Sequence, residues 1–132
     1  SYPLKEFLEP QHRDVCFQAC YYCLHRYGNQ AYHGLLDWRL GLDVIQLLLD
    51  KTYDAGLRGD FSSPGIIDWT VNAKRLAEEA SSLFKGSEVK IVGNIPLIGI
   101  SPQRWAAVLH PFWSYDGAFK ANPELEVLSL EE

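Results

Sequence analysis

The chain has 132 residues, enough for one domain with its own core, and a hydrophobic fraction of 47%, ordinary for a globular protein. Its net charge of −5 excludes a stand-alone nucleic-acid binder that grips by neutralising phosphates. The apolar runs are short and interrupted, and Ser1-Tyr2-Pro3-Leu4-Lys5 lacks the layout of a signal peptide, so no membrane partner and a reducing, cytoplasmic setting are expected. With Ser1 first and no methionine anywhere, the chain is expected to be a segment of a longer protein or a processed chain.

In chain order, residues 3–9 suit a short helix with Pro3 in its first turn and Pro10 ending it. Residues 17–27 read as a second helix, stopped by a left-handed cap at Gly28-Asn29. Residues 32–52 carry the strongest helical pattern, with Leu36, Leu40, Val44, Leu47 and Leu48 as its core stripe. Gly41 inside that stripe predicts a close approach by a neighbouring element.

Residues 54–65 are rich in breakers and read as a loop. Ser63-Pro64 is a capping pair that predicts a helix running to about Lys85, with Ile66, Trp69, Ala73, Leu76, Ala77, Ala80, Leu83 and Phe84 on its apolar face and Gly86 as its cap. After Glu88 the pattern changes to short β-type runs: Val89–Val92, Leu97–Ile100 after a Gly93-Asn94 turn, and Trp105–Leu109, with a further run at 125–130. A helical first half followed by strands predicts an α+β fold. We expect a single domain over 1–132, with a metal-binding helical part over 1–53 and a helix with strands over 63–132.

All three cysteines fall in Cys16-Phe-Gln-Ala-Cys20-Tyr-Tyr-Cys23. They are odd in number and too close together for a disulfide framework. Offsets of four and three put side chains on one face of a helical turn, and convergent thiolates are what a metal ion needs. Zinc completes a tetrahedron with a fourth donor, for which His12, His25 and His33 are candidates. A rival is an iron–sulfur cluster, because C-x3-C-x-aromatic-C, with Tyr22 as the aromatic residue, is similar to the signature of radical S-adenosylmethionine enzymes. Those enzymes need a barrel around the cluster, for which the chain has too little sequence before the motif.

The run Cys16-x3-Cys20-Tyr21-x-Cys23-Leu24, followed by Tyr27-x-Asn29-Gln30-x2-His33-x2-Leu36-Asp37, resembles the C-terminal zinc-binding family attached to DEAD/DEAH-box helicase-like proteins, the MrfA-type zinc-binding domain. The resemblance covers residues 16 to about 49 and departs at Trp38, where the family's Arg would follow Leu-Asp; Arg39 is placed to take over. It implies zinc as the cofactor, a helical segment packed on the metal module, and a parent helicase-type polypeptide as the partner. It further implies a non-catalytic accessory role in DNA repair or phage defence, with nucleic acid met through the parent.

His33 is the expected fourth ligand beside Cys16, Cys20 and Cys23. It follows the reversal at Gly28-Asn29, at the start of the long helix, so an ion held there would pin two helices together. Asn29 and Gln30 would hydrogen-bond around the ion.

Other chemistry is weaker. Asp68 with Glu88-x-Lys90 is similar to a magnesium-dependent nuclease pattern, but Asp68 falls in a predicted helix. His110-Pro111-Phe112-Trp113 has no nucleophile to serve and reads as a strand end covering the core. No G-x4-G-K-S/T loop is present, so no ATP site is expected in this chain. The alternative to an accessory domain is a small enzyme, nuclease-like or of the radical type.

Overall fold

The computed structural model describes residues 4–85 and 87–125. The fold is α+β, with helices in the N-terminal half and a three-stranded antiparallel sheet after them. The chain divides into two compact units, Ser1–Tyr53 with Ser63–Ile66, and Asp54–Ser62 with Ile67–Glu132.

The first unit opens with α1 (Leu4–Leu8) and α2 (Pro10–Arg13). Pro10 does not only end α1; it starts α2 from a first-turn position, where a missing N–H breaks no helical hydrogen bond. Pro3 lies outside the described residues.

The helix expected over 17–27 is absent, and residues 14–26 form a series of turns. A helix would set the cysteine Cβ atoms in a row about 5–6 Å apart. Turns wrap the chain instead. The N–H groups of Cys23 and His25 both donate to the Cys20 carbonyl, at 3.1 and 2.9 Å, and the Trp38 N–H donates to the Gln18 carbonyl at 2.9 Å.

Gly28 and Asn29 form no left-handed cap either. They belong to a 3-10 helix, Tyr27–Leu35, in which Asn29 has φ −118°. The Asn29 side chain closes the first turn, accepting from the Arg26 N–H at 2.7 Å and donating to the Leu24 carbonyl at 3.0 Å.

The long helix, α3 (Trp38–Leu49), therefore starts later than expected, at an Asp37 N-cap whose carboxylate accepts from the Leu40 N–H at 3.0 Å. It buries Trp38 and Asp43, and Leu42 packs on the cluster of Phe7, Cys16, Cys23 and Trp38. Trp38 and Leu42 lie one turn apart and set the inward face, so Val44 and Leu48 of the expected stripe fall on the exposed side. A Cβ at Gly41 would meet nothing within 4 Å, so no close approach explains that glycine.

In the second unit, α4 (Trp69–Ser81) starts at Trp69 rather than Pro64. The backbone at Gly65, in the first unit, passes so close to Arg39 that a Cβ would lie 2.6 Å from the Arg39 carbonyl oxygen, and Ile66 beside it is buried. Ala73 and Ala77 of α4 are buried, small residues that let the helix approach the strand Ile95–Ser101 closely.

The strands are β1 (Val89–Val92), β2 (Ile95–Ser101) and β3 (Arg104–Ala107), in the order β1-β2-β3. Gly93 takes φ +61° in the β1–β2 turn. Central β2 is buried from Ile95 to Gly99. A helix not foreseen, α5 (Tyr115–Ala121), begins at Ser114, whose hydroxyl accepts from the Gly117 N–H at 2.9 Å. The core of this unit is Ile95, Leu97, Trp113, Ala118 and Leu125. Gly86 and residues 126–130 of the expected last run lie outside the described residues. No described helix is long and apolar enough to cross a membrane.

Candidate metal centre

The turns over residues 14–26 bring the three thiols together. Cys16 Sγ and Cys20 Sγ each lie 3.8 Å from Cys23 Sγ, and the Cys20 N–H donates to Cys23 Sγ at 3.2 Å. A disulfide needs about 2.05 Å between sulfurs, and all three thiols are free. Cys16 and Cys23 are buried, and Cys20 is half-buried.

A fourth donor joins them from α2. One ligand atom each from His12, Cys16, Cys20 and Cys23 lie within 4.8 Å of one another, the one such group of His, Cys, Asp or Glu among the described residues. The His12 ring is oriented by its Nδ1, which hydrogen-bonds the Phe7 carbonyl at 2.9 Å. A carbonyl only accepts, so Nδ1 carries the proton and Nε2 keeps its lone pair. Nε2 is buried and has no hydrogen-bond partner. An orphaned imidazole nitrogen beside three thiols is a metal ligand's arrangement, with Phe7 fixing the tautomer.

Electrostatics separate the thiols. Burial, and then the hydrogen bond and charge of the neighbouring thiols, push Cys16 far above the ordinary value. Burial also pushes Cys20 up, but hydrogen bonds from the Tyr22 backbone N–H and the neighbouring thiols outweigh it and hold Cys20 below the ordinary value. Of these two thiols, Cys20 ionises the more readily.

Helix α3 braces the loop. The Trp38 indole N–H donates to the Cys16 carbonyl at 3.1 Å. The Arg39 guanidinium donates to the carbonyls of Cys16, Phe17 and Arg13 at 3.1, 2.9 and 2.8 Å. It also lies 4.2 Å from the Trp38 ring centroid. Arg39 thus brings a positive charge to the loop that carries the thiols.

The other sequence candidates lie elsewhere. The structure brings His12, not His33, to the cysteines. His33 Nε2 donates to the Arg26 carbonyl at 3.0 Å and to Asn29 Oδ1 at 2.8 Å, and its ring stacks on His25 at 3.9 Å. Both follow from the 3-10 segment that replaced the expected helix, which turns His33 back on its own first turn. A signal for His12 was present: it precedes Cys16 by the same four residues that separate Cys16 from Cys20. Lys90 is exposed, pairs with Glu88 at 3.7 Å and lies 4.7 Å from the Trp105 ring centroid. His110 is buried, accepts from the Phe112 N–H at 3.0 Å and packs on Trp69 and Trp113, a core role. No family model matches the chain, and no curated protein or solved structure matches it, so the chemistry of the site rests on the geometry above.

Proposed function

We propose that the chain is a zinc-stabilised, non-catalytic accessory module of a helicase-type, DNA-processing protein, with His12, Cys16, Cys20 and Cys23 holding one ion. The observation that carries the metal reading is the buried, unpartnered His12 Nε2 within the same 4.8 Å group as three free thiols. Three sulfurs and one imidazole suit zinc, and a site closed by four protein donors leaves no position for water or substrate, which favours a structural role. A cluster with an open iron suits the site less well, because a fourth donor is at hand and the sheet is three-stranded and antiparallel rather than a barrel.

The helicase association is supported by the resemblance over residues 16 to about 49. A reducing, cytoplasmic setting suits thiols kept free for metal. Elemental analysis of protein purified without added metal tests the metal reading, with about one equivalent of zinc expected. Iron with acid-labile sulfide would overturn it. The helicase reading is tested by the full open reading frame, where helicase motor motifs are expected; a frame without them, in a protein that joins no helicase, would overturn it.

A further inference from the structure

We infer, resting on the metal reading above, that the metal-tied loop carries a stacking surface for single-stranded nucleic acid, formed by Tyr21, His25, Arg26 and His33. The rings form a built tier. His25 and His33 are stacked with centroids 3.9 Å apart and planes 6° from parallel. Tyr21 meets both edge-on, at 5.4 Å and 82° to His25 and 5.5 Å and 85° to His33. Hydrogen bonds from His33 Nε2 to the Arg26 carbonyl and Asn29 Oδ1 fix the tier to the backbone.

Tyr21 and Arg26 are exposed, His25 and His33 are half-buried, and the segment that carries them is free of acid. Tyr21 is 60% exposed, and Tyr27 at 86% and Tyr32 at 61% lie between Arg26 and His33 in sequence. Residues 15–36 contain no Asp or Glu in a chain whose net charge is −5. Arg26 donates to the Tyr21 and His25 carbonyls, at 3.5 and 2.7 Å, and pairs with no carboxylate among the described residues. An exposed tyrosine beside a half-buried imidazole stack, with a guanidinium on the same loop, matches unstacked bases and a phosphate, and every base has a face to offer. A duplex hides those faces. One cation gives little phosphate-driven grip, which agrees with the acidic balance of the chain: the patch holds bases, not backbone. Zinc would hold residues 16–23, and Tyr21 with them, in the shape that presents the tier.

Fluorescence anisotropy tests this with labelled oligothymidylate and a labelled duplex of equal length, on protein whose zinc content is measured in the same samples. The single strand is expected to bind at least about tenfold more tightly than the duplex. Its affinity should fall with salt at a slope of about −0.7, one phosphate's worth. His25→Ala and Tyr21→Ala should each weaken binding roughly tenfold at full zinc content, and Tyr21→Phe should restore it. Full zinc with no binding, or binding that both alanine variants leave unchanged, would overturn the inference and leave the metal reading standing. Oligonucleotide-free protein that uses the same residues to hold a helicase polypeptide would also overturn it. Absence of zinc would defeat the metal reading and the inference together.

Discussion

At the scale of single residues, two imidazoles play different parts. His12 points a buried lone pair among three thiols, whereas both hydrogen bonds of His33 are to its own loop. His12→Ala removes a ligand, and zinc affinity against a competing chelator should fall by at least about 100-fold, with His33→Ala within a few-fold of the parent. Equal losses in both variants would contradict the assignment.

Arg39 supports the site without touching the ion, through three carbonyls of the loop. Arg39→Ala should lower zinc affinity roughly 10- to 100-fold while keeping one ion per chain, and Arg39→Lys, which lacks the planar fork, should recover little of the loss. A competition titration gives both numbers.

At the scale of elements, the sheet was legible and the metal loop was not. Val89–Val92, the Gly93 turn and the buried run in β2 follow from β-branched composition and a turn signal, which are local properties. The loop is not local. Its turns are held by sulfur, by the Cys20 carbonyl and by Trp38 and Arg39 from a helix more than a dozen residues on. A cysteine spacing compatible with one helical face therefore described the donors and missed the backbone that gathers them. The α3 stripe misled for a related reason, since the anchoring of Trp38 rather than the count of leucines chose the buried face.

Gly93 is a test of the legible part. It sits at φ +61°, and a Cβ there would collide with Asn122 Oδ1. Gly93→Ala should destabilise the sheet-bearing unit by about 1–3 kcal/mol, read from denaturant midpoints, with zinc content unchanged. A neutral result would mean that the turn relaxes freely.

At the scale of the whole molecule, metal and fold are coupled. The first unit's buried cluster includes two of the proposed ligands, Cys16 and Cys23, beside Phe7 and Trp38, so its core and its site are the same place. The second unit has a separate core around Ile95 and Trp113. Stripping zinc, or substituting Cys20→Ser, should melt the first unit and leave the amides of β1–β3 protected from hydrogen exchange. Uniform loss of protection in both units would contradict that division.

Binding must also displace protons, because thiolates are the ligands and burial with neighbouring thiols raises Cys16 above the ordinary value. Calorimetry in buffers of different ionisation heat should find roughly two to three protons released per zinc at neutral pH, and affinity falling as pH is lowered.

The coordination shell itself tests the central claim most directly. X-ray absorption at the zinc edge of the purified protein should give three sulfurs at about 2.3 Å and one nitrogen at about 2.0–2.1 Å. The nitrogen's imidazole signature should vanish in His12→Ala and persist in His33→Ala. A shell of iron and sulfide, fewer than three sulfurs, or an imidazole signal that disappears with His33 instead would contradict the account.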